Sequence, residues 1–543
     1  MEDFWVSFSA YLFALKVLLY ITAGLILICG LDDLFIDLYY MGRCLWRRYV
    51  IYRRYPRMTE DRLRSYPLSP LAIMIPAWQE AGVIGRMLEN TVLTYDYTNF
   101  HVFVGAYPND PETIEEIRRL NRKYPQIHLC ILPHAGPTCK ADCLNHILKD
   151  IFLFEKEHRV NFDGFVLHDA EDIVHPLELH LYNYLLPRKD MIQIPVIPLE
   201  RPWYDLTGGH YMDEFAENHT KELVVREALS GQVPSAGVGC ALSRRAVEAL
   251  QQRGEVFTTD NLTEDYDLAL RLKDLGMSEV FVRFPIYRRV DNGRRCVHDI
   301  IATREYFPDR LGDVIRQKSR WIMGIVFQGW RNRKWPASLS LCYALYRDRR
   351  GFFTAHLAML AYFLLLNMVL FWIIAAAIPD KFSFPPLVRR GEPLEYMLWI
   401  TAALLLNRVL QRSWYCYRIY GGTAALMSLP RQIWANILNF LAGLRAFWIY
   451  SGHLLTGRTI TWDKTYHDFP SEHELKPLRK RLGLILLEKE LITLKQLHHA
   501  LAQQDNSPLP LGQILLRQNL IHKEDLESAL QEQQNQLPHA LQI

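Results

Sequence analysis

The sequence predicts an open, mostly parallel α/β sheet domain joined to transmembrane and interfacial helices, with a small all-α tandem-repeat domain near its C-terminal end. Three observations predict this. Over residues 70–330, short apolar runs alternate with amphipathic helical patterns, as expected for βα units whose strands are buried on both faces. Residues 11–31 form an apolar run of 21 residues broken by one lysine; at about 1.5 Å per residue this spans a hydrocarbon core of roughly 30 Å. Residues 481–504 and 510–533 repeat with a period of 29, which marks stacked copies of one supersecondary unit. The expected bounds are 1–45 for a membrane anchor, 65–330 for the α/β domain, 331–470 for membrane and interfacial helices and 475–543 for the repeat domain.

At 543 residues the chain exceeds one ordinary domain. Half its residues are apolar while 22% are charged, a balance that suits an enzyme with a few membrane helices. A net charge of +3 is too small to argue for a nucleic-acid partner. Nine cysteines are scattered without paired CxxC spacing, and Cys139 and Cys143 have no matching second pair. They read as buried, reduced thiols of a cytoplasmic domain.

No small-residue cleavage site follows 11–31. Asp32, Asp33 and Asp37 come next, then Arg43, Arg47, Arg48, Arg53, Arg54 and Arg57. The run therefore reads as an uncleaved anchor, and the arginines put its C-terminal side, with residues 45–350, in the cytoplasm. The run 352–378 carries one histidine and is long enough to span; 396–410 is shorter and carries Arg408. Asn436, Asn439 and Arg445 within 432–450 are costly at a bilayer centre, so an interfacial helix is the cheaper reading and keeps the tail cytoplasmic. The stretch 414–430, with Gly421, Gly422 and Pro430, stays open as a further span.

Within 70–330, residues 71–75, 102–104, 128–132 and 165–167 read as strands, and 82–94, 111–124 and 140–154 as intervening helices. Ligands of such sheets bind beyond the carboxyl ends of the strands, and five segments fall there or close after. Pro76-Ala-Trp-Gln-Glu80 closes the first strand and by itself fits a plain strand-to-helix turn. Lys140-Ala-Asp142 opens a helix after the Gly/Pro loop 134–139; lysine and helix N-terminal amides hold diphosphates, although a solvated helix start gives the same pattern. In His168-Asp169-Ala-Glu171-Asp172, three carboxylates follow a buried strand. They repel one another unless a cation neutralises them, and an exposed acidic turn is the alternative. Thr263-Glu264-Asp265 precedes an apolar-periodic helix, where acids are commonly caps. Gln317-Lys-Ser-Arg320-Trp321 lies on an amphipathic stretch that also suits an interfacial helix.

In this order and spacing the five segments resemble the processive family-two glycosyltransferases, the class that includes cellulose and hyaluronan synthases, over about residues 65–470. The resemblance implies a nucleotide-sugar-binding, GT-A-like domain and a metal-dependent, inverting transfer. It implies that Asp169, with Glu171 or Asp172, holds Mg²⁺ or Mn²⁺ and the nucleotide diphosphate, that Asp265, beside Glu264, is the general base, and that Gln317, Arg320 and Trp321 line the acceptor site. Pro76, Glu80, Lys140 and Asp142 fall in its substrate-binding segments, and Trp462, Lys464 and Thr465 resemble its gating loop. Two departures stand out: the metal motif reads DAED, so the second acid is open between Glu171 and Asp172, and the second strand ends in Val104-Gly-Ala-Tyr-Pro-Asn-Asp110, where Asp110 is a candidate for base or ribose contacts.

Each C-terminal unit reads as a short Leu-Gly helix, a turn and a second helix. Thr493-x-x-Gln496 fits a capping box, with Leu494, Leu497 and Leu501 facing a small core. A helical docking module would explain those leucines. It leaves unexplained Arg481 and the glycines at equivalent helix starts, where a glycine lets a base or phosphate approach the backbone. The tandem pattern resembles the MshEN domain, a cyclic-di-GMP receptor. The resemblance implies ligand contacts from Arg481, Leu482, Gly483, Leu497, Gln504, Leu511, Gly512, Leu526 and Gln533, with Arg481 carrying more of the phosphate recognition because Pro510 takes its place in the second repeat.

A membrane transferase fused to this receptor resembles the bacteriophage adsorption protein B family of Gram-negative bacteria. That implies an inner-membrane, multi-pass enzyme acting on a nucleotide sugar, such as a UDP-sugar, and a growing surface polysaccharide, in contact with membrane lipid, with an outer-membrane export partner and a product that phage can use as receptor. Two other functions fit the same motifs: non-processive glycosylation of a lipid carrier, and a catalytically dead scaffold for phage adsorption or secretion.

Overall fold

The computed structural model describes residues 2–290, 295–332, 335–377, 386–457, 469–470, 482–504 and 509–534. Trp462, Lys464, Thr465 and Arg481, and the side chain of Gln533, lie outside the described residues. The chain divides into two compact units, each built from separate stretches: 1–53, 203–217 and 309–460 in one, and 54–202, 218–308 and 461–543 in the other.

The second unit holds the sheet. Its strands are β1 (Leu71–Pro76), β2 (Phe100–Ala106), β3 (Ile127–Ile131), β4 (Gly164–Leu167), β5 (Met191–Gln193), β6 (Val196–Pro198), β7 (Cys240–Ser243) and β8 (Glu279–Phe281). Seven form one sheet in the order β3-β2-β1-β4-β7-β5-β8. The strands expected from the apolar runs are parallel neighbours, with Leu71 opposite both Phe100 and Gly164. The helices between them, Ile84–Thr94, Pro111–Lys123 and Lys140–His158, follow the predicted pattern. β7 runs antiparallel to β4 and β5, which no apolar run announced. β1 and β4 are buried because helices cover both faces: Ile73 and Ile75 pack with Ile84, Leu88 and Ile117 on one side, Ala72 and Met74 with Leu144 and Ile147 on the other. Strands β9 (Pro285–Val290) and β10 (Arg295–Ile300) pair antiparallel, and β11 (Thr303–Glu305) pairs with β6.

The repeats fold as two helix pairs, Leu482–Glu488 with Leu494–Gln504 and Leu511–Arg517 with Lys523–Gln534. The capping box is reciprocal: Gln496 N donates to Thr493 Oγ1 at 3.4 Å and Thr493 N donates to Gln496 Oε1 at 2.7 Å. Equivalent residues Glu490 and Asn519 turn the chain with the same φ of +55°. The paired glycines also stand where the two helices of each pair come close. A β-carbon on Gly483 would stand 2.6 Å from Leu497 Cδ1, and one on Gly512 2.7 Å from Leu526 Cδ1. A side chain there would push the leucine methyl aside, so glycine lets the helices of each pair approach this closely.

The helical unit contains Glu2–Trp46, Leu339–Ala377, Pro393–Tyr420 and Gly422–Thr456. Among the described residues two helices, Val6–Arg54 and Leu339–Ala377, are long and apolar enough to cross a membrane. The stretches 414–430 and 432–450 are not separate segments. The break falls at Gly421, whose φ is +86°, and one helix then runs through Pro430 to Thr456. Asp32 and Asp33 are ion-paired with Arg347 and Arg350, and Asp33 also with Arg408 at 3.2 Å, so these charges neutralise one another between helices.

Candidate active site

In the strand order β3-β2-β1-β4, the chain winds away from β1 in one direction and later returns to its other side at β4. Ligands gather at such a switch point, beyond the carboxyl ends of the strands. Pro76 ends β1, and His168-Asp169 follows β4 directly. Lys140 begins the helix Lys140–His158, and its ammonium lies 2.5 Å from Asp169 Oδ1 and 3.3 Å from the carbonyl oxygen of Gly237. Gly237 has a φ of +76°, a conformation that favours glycine. A β-carbon there would stand 2.7 Å from Asp265 Oδ2 and 3.3 Å from Lys140 Nζ. Lys140 and Asp265, remote in the sequence, therefore meet at one glycine, and Asp169 joins them through its contact with Lys140.

Electrostatics follow from this crowding. Burial disfavours the Lys140 cation, but Asp169, Glu264 and Asp265 outweigh it and hold its pKa above the ordinary lysine range. Burial, reinforced by the charge of Asp265, pushes Glu264 up to about 7. The acids at this helix start are more than caps: Thr263 occupies the N-cap position, and Asp265 Oδ1 accepts from Tyr266 N at 2.7 Å while Oδ2 is turned to Gly237.

The DAED segment divides its labour. Asp172 is fully buried, and its Oδ2 accepts from Asp169 N at 3.1 Å and lies 2.8 Å from His168 Nδ1. His168 Nε2 lies 2.8 Å from Glu178 Oε1. Burial opposes the imidazolium, but Glu178 and Asp172 overcome it and raise the His168 pKa to about 10. Asp172 thus braces the strand end, while Asp169 faces Lys140. Sequence reasoning missed Glu305, a buried residue on β11. The Ile173 N to Arg304 O bond of 2.7 Å ties β11 to the end of DAED. Burial first, then Asp172, Glu171 and Asp169, push its carboxyl well above the usual range.

Asp172 Oδ1 is buried with no hydrogen-bond partner, so this pocket of acids suits a cation. Among the described residues no three His, Cys, Asp or Glu form a ready cage. A divalent ion taking one or two carboxylates and completing its shell with substrate phosphate fits that arrangement. Replacing Glu305 by Gln is expected to raise the cation-free unfolding midpoint by about 2–4 °C, since the amide removes a carboxyl whose ionisation burial and the neighbouring acids oppose. The stabilisation that Mn²⁺ adds should shrink in the same thermal scans.

Other expected residues have mixed placements. Asp142 accepts from Thr138 Oγ1 at 2.7 Å and pairs with His134 at 2.8 Å, bracing the Gly/Pro loop. Asp110 is the N-cap of Pro111–Lys123; its oxygens accept from Thr113 N at 3.4 Å and Gln79 N at 2.5 Å, so it holds the β2 turn against the β1 turn. Glu80 N donates to Thr113 Oγ1 at 3.0 Å. Gln317, Arg320 and Trp321 belong to the helical unit, on Leu311–Ile322. In the repeats, Leu497 and Leu526 are core residues, with Leu482 and Leu511 packed against that core. Gln504 ends the second helix of the first pair.

A family model described as glycosyl transferase family group 2 matches residues 164–375. The chain is 45% identical over 504 residues to bacteriophage adsorption protein B of Escherichia coli K12, covering 91% of this chain and 67% of that protein. Bacteriophage N4 adsorption protein B of Escherichia coli O157:H7 matches to the same extent. Among solved structures, a Pyrobaculum calidifontis mannosyltransferase in complex with GDP-Man and Mn²⁺ aligns at TM-score 0.45 and 17% identity, over 76% of this chain and 99% of its own. The sheet and the family match define a glycosyltransferase of family two. Within that class, the chain belongs to the bacteriophage adsorption protein B family.

Proposed function

We propose that this glycosyltransferase moves sugars from a nucleotide sugar, such as a UDP-sugar, onto a growing surface polysaccharide, inverting the anomeric centre. The observation that carries the reading is that Asp265 and Lys140 meet at Gly237 while Lys140 also faces Asp169. Asp265 takes the proton of an acceptor hydroxyl, whose oxygen attacks the anomeric carbon as the bond to the diphosphate breaks. Lys140 holds the departing diphosphate. Asp169, with Glu171 or Asp172, would hold Mg²⁺ or Mn²⁺, which would neutralise the leaving group's charge. Gln317, Arg320 and Trp321 take the acceptor, and Trp462, Lys464 and Thr465 close over the nucleotide.

The enzyme sits in the inner membrane as a multi-pass protein with its catalytic and repeat domains in the cytoplasm. Its product leaves through an outer-membrane partner and serves phage as receptor. The repeat domain, 475–543, binds cyclic di-GMP through Arg481, the glycine helix starts and Gln504 and Gln533, and binding favours the active state. Such coupling is a difference in ligand affinity between two states.

Inverted membrane vesicles test all of this. Supplied with a panel of UDP- and GDP-sugars and Mg²⁺ or Mn²⁺, they should form polymer, and cyclic di-GMP should raise the rate. Absence of transfer with every donor sinks the enzymatic reading. An Arg481→Ala variant that responds normally to cyclic di-GMP sinks the regulatory one.

A further inference from the structure

The helix Leu206–Glu217 is packed inside the helical unit by its charges. Asp213 pairs with Arg431, Glu214 with Lys318 at 2.7 Å, and Glu217 with Arg412 at 3.1 Å. Trp434 Nε1 donates to Thr207 Oγ1 at 3.1 Å. Gly209 lets Arg431 lie across the helix, since a β-carbon there would meet Arg431 Cδ at 3.0 Å. At the centre is Tyr211, which is fully buried.

Tyr211 touches the Gln317–Trp321 segment three times. Its hydroxyl donates to Gln317 Oε1 at 2.7 Å. Its ring stands edge-on to Trp321, with centroids 6.2 Å apart. Lys318 Nζ lies over the same ring, 5.1 Å from its centroid. Just beyond Trp321 the helix widens into a π-helical turn, Met323–Gln328, a feature common where a helix serves a site.

The hydrogen bond fixes which way the Gln317 amide faces. With Oε1 occupied by the tyrosine hydroxyl, Nε2 is presented on the other side as a donor. Gln317 is only 5% exposed, and among the described residues no protein acceptor bonds its Nε2. A donor that the protein itself leaves without an acceptor is open to a bound oxygen.

We propose that Tyr211 is a positioning residue: it holds the Gln317 amide so that Nε2 donates to an oxygen of the bound substrate, and it sets the Trp321 ring beside it. This rests on the transferase reading above. The shared chemistry is an oxygen acceptor, contributed either by the nucleotide diphosphate or by an acceptor-sugar hydroxyl.

The test uses the full chain in nanodiscs. Tyr211→Phe keeps the ring and removes only the hydroxyl, so its unfolding midpoint should match the parent. UDP and GDP, each with Mn²⁺, are titrated calorimetrically, and polymer length and nucleoside diphosphate release are measured with the best donor of the vesicle panel. If the oxygen belongs to the diphosphate, Tyr211→Phe weakens nucleotide binding about fivefold, the loss of one hydrogen bond's orientation. If it belongs to the acceptor, nucleotide binding is unchanged, but polymer shortens and release per polymer rises about fivefold. In both cases Gln317→Leu gives the same defect, and the double variant is no worse than Gln317→Leu alone. Tyr211→Phe with parental binding and polymer length overturns the inference, as does full additivity with Gln317→Leu. A parent protein that binds neither nucleotide and makes no product overturns the transferase reading instead.

Discussion

Replacing Asp265 by Asn is expected to lower turnover by roughly 10²–10⁴-fold, the range a positioned general base contributes. The substitution changes one oxygen to an amide nitrogen and keeps the side-chain volume. It also keeps the oxygen that accepts from Tyr266 N, so the start of the helix Glu264–Asp274 should stand and the unfolding midpoint should hold. Binding of the nucleoside diphosphate with Mn²⁺ should stay within a few-fold of the parent, because Lys140 and Asp169 still face each other at 2.5 Å. Initial rates of diphosphate release in vesicles check the first expectation, and calorimetric titration checks the second. Retained turnover would move the base elsewhere, and Glu264, buried beside it, would be next to test.

Replacing Arg431 by Met should cost about 3–5 kcal/mol of stability, the usual cost of leaving one partner of a buried ion pair alone. Arg431 is 1% exposed and meets Asp213 twice, Nε to Oδ2 at 2.8 Å and Nη2 to Oδ1 at 2.7 Å. It also donates to the Ala424 carbonyl at 2.7 Å. Without it, Asp213 keeps Cys416 Sγ at 3.2 Å, a weak donor that does not compensate a buried carboxylate. The double variant Arg431→Met with Asp213→Leu should recover most of the loss, since a matched apolar pair avoids the desolvation cost of both charges. Thermal scans of the single and double variants in the same nanodiscs make the comparison. A single variant as stable as the parent would mean that the pair is solvated in the folded protein.

Much of the α/β domain was legible because its strands are local in character. Leu71–Pro76 is apolar through its buried length, and such a run, followed by an amphipathic helix, has few other folds open to it. The capping box at Thr493–Gln496 was legible for a similar reason, since both partners lie within one turn. β7 was not, because Cys240–Ser243 is four residues long and becomes a strand only between β4 and β5. The helix Gly422–Thr456 was misdivided because Pro430 looks like a boundary, and Asn436, which reads as costly in a bilayer, finds Tyr362 at 2.7 Å. At the repeat glycines the fold adds what the sequence did not show, the nearness of Leu497 and Leu526.

By itself the sequence determined the order of chemical groups along the chain: a lysine opening one helix, acids following a buried strand, an acid pair opening another helix, and a tail with two matching helical units. Proximity belongs to the tertiary structure. It alone decided that Asp169 faces Lys140 while Asp172 turns to His168, that Glu305 joins the acids from β11, and that Tyr211 bonds Gln317 across 106 residues of chain. The physical reason is range. Periodicity and capping act within a few residues, whereas charge pairing and close packing act between surfaces that only the finished fold brings together.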